Sequence, residues 1–562
     1  MEKFASEMRN SIKKVYGSKA YVLLLTLTAL CGFGFKVIRP TIGIDDTPHA
    51  YYFEEGLAPV VGRWVLFVLN KFIHVSDFAP FVTEFAAVLL LMAAVTVWGA
   101  LFYSCLEDRI PRVGYWMFSC IFLSCPLLAE VFTYYLHNGA SLGYLFCGLS
   151  LTALRTAYRS WAAKDKRRAL GQSVLSLVTM VAAMGCYESF MIVWLVGLLL
   201  FLFADELAGK GGRVFFKLVY GALVAAAAMV LRSVVIEIVI AVFSLQGIRD
   251  QAVLRSITEM FGWMVQPGAW GDLSMALKRT FVMYGAFGIV YYPIGIFVLT
   301  AMVFLSVALW RAVKQRDPWL LLLAIGSYIA AFLLVFVEGS ATLYRSAQFV
   351  PLLSGFGMLM GAYTVSVLME ALAKKPKQKP VRRIVGGVSL VLAASILWNQ
   401  CTDLNHWFYV DYNKYQYTRD YLSRVAIALE RDFDTTKPVL FTGEWENPRG
   451  IVADAYVEIG SPDFYRLKRI VDPVDEHLLE KFYRPYGVWV AQTPSLSVVS
   501  WGKYAFETDE ELIRFFAMHG HALRPLTDSS YYEDAEQFSM DLPSFPAEGS
   551  IVDMGDYIIV HF

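Results

Sequence analysis

The chain has 562 residues, of which 57% are hydrophobic and only 17% charged, against about 25% charged in an ordinary soluble domain. Its 49 basic and 49 acidic side chains cancel, which argues against nucleic acid as a partner. The apolar excess falls in runs of roughly 17 to 25 residues, the length that crosses about 30 Å of hydrocarbon as a helix. These runs show no period-2 alternation, so a polytopic α-helical membrane protein is expected and a β-barrel is not.

About eleven spans are predicted, at 20–37, 80–105, 113–129, 142–159, 171–187, 189–205, 215–244, 285–310, 319–338, 349–373 and 384–400. The N-terminal stretch has no small-residue cleavage site behind a short apolar region, so the first span is expected to remain. The run 215–244 is long for one span and carries Arg232 and Glu237, so it either breaks or extends beyond the bilayer. Lys and Arg gather in the N-terminal tail, in the turn 164–168 and in the stretch 374–383. That alternation predicts a cytoplasmic N-terminus. An odd number of spans then leaves residues 401–562 outside, and one miscounted span would reverse that.

The predicted outer segments are 38–79, 130–141, a tight turn at 187–188, 245–284 and 339–348. In the first of them, Arg63, Asn70 and His74 share one face of the amphipathic run 63–74. That pattern reads equally as a helix lying in the interface or as a polar stripe packed on neighbouring spans. Beyond the last span the composition changes. A helix over 412–433, a strand at 438–443, a helix over 509–520 and the closing DYIIVHF predict a small α/β or α+β domain over 401–562, set against a membrane domain over 1–400. The seven cysteines lie in or beside apolar segments with no disulfide or zinc spacing. No phosphate-loop, HExxH or paired CxxC motif is present, which argues against an ATP-driven pump or a zinc protease.

The chemistry concentrates at one membrane face. Asp45 and Asp46 stand just past the first span, in FKVIRPTIGIDDTPHAYYFEEG. A carboxylate there can take a proton from a polar acceptor while the donor stays in the membrane, and two adjacent carboxylates raise the pKa of one. The plainer reading is a cap opening the segment TPHAYY. His49, Tyr51, Tyr52, Glu54, Glu55 and Arg63 lie close by and favour chemistry.

Departure of a lipid phosphate calls for fixed positive charge. Arg345, in the short loop EGSATLYRSAQFVP, is a candidate for that role, with a snorkelling Arg as the alternative. Lys36, Arg39 and Arg279 are weaker candidates of the same kind, and Arg63 a possible helper. Tyr187 and Glu188 occupy a turn suited to contacting sugar hydroxyls, as are His137, Asn138, His49 and Tyr344; a solvated turn is the competing reading for Glu188. Trp263 and Trp270 read first as an interfacial belt.

The layout resembles the GT-C superfamily of membrane glycosyltransferases, and more specifically the type II Gtr family of serotype-converting O-antigen glucosyltransferases. The resemblance rests on IDDTPHAYYFEEGLAPVVGRW (44–64), GCYESFMIVW (185–194), ATLYRSAQFVPLL (341–353), LNHWFYVDYNKYQYTRDY (404–421) and the closing LPSFPAEGSIVDMGDYIIVHF (542–562), taken in order. It implies a bacterial inner-membrane enzyme with an extracytoplasmic C-terminal domain. The implied donor is undecaprenyl-phosphate glucose, supplied by a separate synthase and flippase, and the implied acceptor is a sugar of a surface polysaccharide. Asp45 and Asp46 match the first-loop acidic motif of that family. No cofactor is required. The two aspartates can hold a divalent metal, but none is expected with a monophosphate leaving group. A multi-span transporter or lipid-linked sugar flippase is the main alternative. It would show internal symmetry and mid-bilayer acids, for which Glu237 is the one tempting case. A membrane-anchored sensory protein is a third reading.

Overall fold

The computed structural model describes residues 2–42, 60, 62–73, 79–132, 137–247, 263–282, 294–338, 346–374, 379–443, 445, 456–458, 488–490, 506 and 508–562. An amphipathic helix α1 (Glu2–Tyr16) precedes α2 (Lys19–Ile38), α3 (Trp64–Ile73), α4 (Val82–Leu106) and α5 (Arg112–Leu123). Next come α6 (His137–Ala162), α7 (Lys166–Cys186), α8 (Phe190–Leu207), α9 (Val214–Val242), α10 (Ala269–Val282), α11 (Ile294–Gln315), α12 (Pro318–Ile329) and α13 (Phe349–Ala373). The last long helix is α14 (Lys379–Asp432), and α15 (Asp509–Met518) and α16 (Tyr532–Ser539) follow it.

Among the described residues, nine helices are long and apolar enough to cross a membrane: α2, α4, α7, α8, α9, α11, α12 with its continuation to Val337, α13 and α14. The predicted span 113–129 is a shorter helix whose last turn breaks at Ser124 before Pro126, because proline cannot continue the ladder. The predicted span 142–159 lies within α6, which has 26 residues but a less apolar composition. The run 215–244 is one continuous helix of 29 residues with Arg232 inside it.

Helix starts follow local chemistry. Ser18 Oγ accepts the Ala20 N–H at the head of α2, Asp165 accepts that of Arg168 at the head of α7, and Asp317 caps α12 ahead of Pro318.

The bundle core is aromatic and interlocked by polar groups, because a buried ring N–H or hydroxyl needs a partner. Trp98 Nε1 donates to the Tyr144 carbonyl at 2.9 Å and Trp194 Nε1 to Ser150 Oγ at 2.8 Å. Ser150 in turn meets Ser176, which lets α6 and α7 approach closely. Arg155 forks onto Asp205, with its shortest contact at 2.6 Å, and onto Ser104. Outward rows of large apolar residues, such as Leu23, Leu27 and Leu30 on α2, leave a lipid-facing surface.

α14 has 54 residues, about 80 Å of helix at 1.5 Å per residue, more than twice the hydrocarbon thickness. It runs parallel to α2: Cys401 faces Thr28, Leu404 faces Gly32, and Asp411 meets Thr41 just past the end of α2. Its last turns then enter a second core. Tyr421, Leu422, Val425, Ala426 and Leu429 pack with Ile42, with α15 and with a sheet. That sheet contains β1 (Pro438–Thr442), β4 (Arg524–Pro525), β5 (Ile551–Asp553) and β6 (Ile558–His561), in the order β4-β1-β6-β5. β1 is parallel to both β4 and β6, and β5 is antiparallel to β6. A separate pair, β2 (Tyr456–Glu458) and β3 (Val488–Val490), is antiparallel. The helix and strands expected at 412–433, 438–443, 509–520 and the C-terminus therefore form around a mixed sheet.

Candidate functional site

Three segments expected on one face converge. The first is the turn into α3. Gly62 sits at φ +97°, a conformation an L side chain rarely adopts, and a Cβ there would run into the Arg232 guanidinium. Arg63 follows. Its guanidinium lies 4.3 Å over the Tyr187 ring, and its Nη2 is 3.7 Å from Glu188 Oε1. Trp64 packs on Gly185, where any Cβ would collide with the indole. The second segment is the turn between α7 and α8. Tyr187 ends α7 in extended backbone, which swings Glu188 out toward Arg63. The third is the start of α6, where Gly139 faces Leu66 and the Cys186 carbonyl. Arg232, a half-buried residue inside α9, completes the group and interacts electrostatically with both Glu188 and Arg63.

The site is therefore two guanidiniums around one carboxylate beside an aromatic ring. Its edges carry buried polar atoms that have no hydrogen-bond partner among the described residues: Arg63 Nε, Trp64 Nε1, Ser141 Oγ, Ser189 Oγ and Gln348 Oε1. Such groups are costly unless something else satisfies them, and they cluster where ligands bind. Gln348 brings in a fourth segment, because its carbonyl accepts the Tyr144 hydroxyl at 2.6 Å, two turns along α6 from His137. An anion with several acceptor oxygens, such as a phosphate, matches the donors among those buried polar atoms, Arg63 Nε, Trp64 Nε1 and the two serine hydroxyls.

Of the predicted site residues, Arg63, Tyr187 and Glu188 come together. His137 and Asn138 open α6 next to them, though only their backbone is described. Asp45, Asp46, His49, Tyr344 and Arg345 lie outside the described residues. Arg39 is exposed and stacks over Tyr412 of α14 at 5.7 Å, and no described contact joins it to Arg63. Lys36 is turned inward and is not a surface anchor. Its Nζ donates to Thr41 Oγ1 at 2.8 Å and pairs with Asp411 Oδ2 at 3.9 Å, and Thr41 donates to that same oxygen at 2.6 Å. Of the amphipathic run 63–74, His74 lies outside the described residues, and the rest matches the reading of a polar stripe packed on its neighbours. Arg63 and the buried Asn70 face the bundle, while Phe72 is exposed.

In the sequence, Arg232 reads as a sign that the run 215–244 breaks or extends beyond the bilayer. An arginine within an apolar helix was the available signal, since such a residue faces a polar partner. The Lys36–Asp411 pair, 375 positions apart in the chain, had no sequence signal.

The sequence model of the family described as glucosyl transferase GtrII matches residues 34–361, more than half of the chain. The chain belongs to this family. A search of curated proteins found no match. The GtrII match contains every residue of the converged site, from Gly62 to Gln348, and also the Asp45–Asp46 pair. It ends before α14 and the mixed sheet. Membership makes the chain a membrane-embedded protein of a glycosyltransferase family.

Proposed function

We propose that this chain transfers glucose from a polyprenyl-phosphate donor to a sugar hydroxyl of a cell-surface polysaccharide. In this reading the transfer takes place on the outer face of a bacterial inner membrane, with the N-terminus cytoplasmic. Undecaprenyl phosphate is the donor lipid, made and flipped by separate proteins, and the fold is of GT-C type.

The observation that carries the reading is the meeting of Arg63, Glu188 and Arg232 within the span that the GtrII family covers. A membrane glycosyltransferase with a lipid donor must hold a phosphate near the bilayer edge. Two guanidiniums and an indole N–H with no partner among the described residues have the chemistry to do so. Arg345, in the loop that precedes Gln348, joins them in this reading, with Arg39 as a second helper.

The reaction is a single displacement. The acceptor hydroxyl attacks the anomeric carbon as Asp45 or Asp46 removes its proton. The bond from that carbon to the phosphate oxygen breaks, and the electron pair leaves on the phosphate beside the arginines. Configuration inverts, so a β-linked donor gives an α-linked product. Glu188, Tyr187, His49, His137, Asn138 and Tyr344 hold sugar hydroxyls. No cofactor takes part.

The parallel course of α2 and α14 supports an outer C-terminal region, because both helices leave the membrane on the side where the 43–59 segment begins. Ile42, just ahead of that segment, packs in the core beneath the sheet.

The test is transfer of radiolabelled glucose from undecaprenyl-phosphate glucose into polymer, in membranes of the native host. Native protein should move the label, and Asp45→Asn or Asp46→Asn should lower the rate about 10²–10⁴-fold, as loss of a general base does. Retention of the donor's configuration would refute the single displacement. Indifference to every polyprenyl-phosphate sugar would refute the donor.

A further inference from the structure

The opposite ends of the same helices carry a second built cleft. From His137 to Arg155, α6 rises about 27 Å, so this cleft lies across the membrane from the Arg63 site, on the side of α1 and the basic turn 164–168. It has a volume of about 490 Å³ and is lined by Arg155, Tyr158, Arg159, Trp161, Asp205, Lys210, Arg213, Phe216 and Lys217, with the glycine turn 211–212. Five lining side chains are basic and one is acidic, and that acid, Asp205, is already held by the buried Arg155 fork at 2.6 Å. Lys210 pairs with Glu107 at 2.6 Å. Arg213 forms no ion pair among the described residues, and the Lys217 ammonium lies 3.3 Å from the Gly211 carbonyl and interacts electrostatically with Glu206, whose carboxylate accepts the Gly212 N–H beside the cleft. The floor is rigid, because the Tyr158 hydroxyl donates to the Lys217 carbonyl at 2.6 Å.

Five basic side chains against Asp205, Glu107 and Glu206 leave the cleft net positive, and excess positive charge in a concave site of this size calls for an anion. The rim indicates which kind. Trp161 and Phe216 stand exposed at the mouth, as aromatic side chains do at headgroup depth. From Phe216 an apolar row continues along α9 through Leu223 and Val230, spaced seven apart on one face and 54%, 63% and 68% exposed. A soluble phosphate has no use for that row, whereas an acyl chain does. Basic clefts between helices at this depth suit acidic lipid headgroups.

We infer that this cleft binds the phosphate headgroup of an anionic phospholipid, with an acyl chain lying along the Phe216–Leu223–Val230 row of α9. This is independent of the reading of the Arg63 site.

The test uses full-length purified protein and compares binding of phosphatidylglycerol, phosphatidylcholine and inorganic phosphate by native mass spectrometry, with thermal unfolding in detergent alongside. Phosphatidylglycerol should bind and stabilise, and the other two should not. Arg213→Gln/Lys217→Gln should weaken phosphatidylglycerol roughly tenfold or more, at about 1 kcal/mol per basic residue. Lys166→Gln/Arg167→Gln, which removes the same charge from the exposed turn, should change it less than about twofold. Each single variant should weaken binding severalfold, which keeps the test open if the double variant misfolds. Equal binding of phosphatidylcholine, or equal loss in the turn variant, would overturn the inference. Stabilisation by inorganic phosphate alone would overturn the lipid assignment.

Discussion

Asp411 is the strongest single point at which to perturb the outer end of the bundle. Its carboxylate is fully buried, accepts the Thr41 hydroxyl at 2.6 Å and faces the Lys36 ammonium at 3.9 Å. It also interacts electrostatically with Lys414, whose side chain is buried as well. One carboxylate thus faces the Lys36 ammonium and the Lys414 amine, whose pKa burial pulls down to about 7 against the pull of Asp411, and the two directions of mutation are unequal. Asp411→Ala leaves both lysines without that counter-charge, and breaking a buried pair in this way costs about 3–5 kcal/mol. Lys36→Met leaves Asp411 with Lys414 and Thr41 and loses one charge-assisted contact, about 1–3 kcal/mol. The expected gap is about 2 kcal/mol, from the difference of those two ranges. Asp411→Asn keeps the shape and removes the charge, so it should fall close to Asp411→Ala. Unfolding of the purified variants in mild detergent, followed by size-exclusion fluorescence, measures the gap. If Lys36→Met costs as much as Asp411→Ala, or if Asp411→Asn is silent, the shared-carboxylate argument fails and packing alone holds α14 to α2.

The remaining predictions concern the site and the sheet. Glu188→Gln removes the charge between Arg63 and Arg232 while keeping the side chain's shape, and should lower glucose transfer at least about tenfold, one charge-assisted contact being worth about 1.5–3 kcal/mol; unchanged transfer would remove Glu188 from the site. Gly185→Val forces the Trp64 indole away and should cost about 1–3 kcal/mol of stability together with most of the activity; a variant with native stability and rate would show that the Trp64 placement is not needed. Lys437, at 2.7 Å, and the Gly555 N–H hold the Asp553 carboxyl below the usual carboxylate range. A lowered carboxylate pKa stabilises the fold above the unfolded-state value near 4 and loses that contribution as pH falls through the folded value. Asp553→Asn should therefore destabilise the β1–β5 region at neutral pH, and its difference from the native protein should close on acidification. A difference that widened toward low pH would refute the assignment.

Much of this molecule was legible in one dimension. Most of the long apolar helices and the strands at 438–443 and 556–562 follow from local composition, because a helix in lipid must be apolar along its length and a strand in a buried sheet nearly so, whereas the break before Pro126 falls inside the predicted span 113–129. Tyr187 and Glu188 are legible as polar residues at the turn between two spans, and Arg63 as one face of the amphipathic run 63–74. Their partnership is not, since it depends on how α3, α7 and α9 pack side by side, and that is set by Trp64 fitting over Gly185 and Arg232 over Gly62. The same limit hid the Lys36–Asp411 pair and the basic cleft beneath α6, α8 and α9. Sequence by itself determined which stretches form long apolar helices and where polar residues gather between them. The tertiary structure alone decided which of those charges face one another, because pairing across helices is a matter of distance in space and leaves no period in the chain.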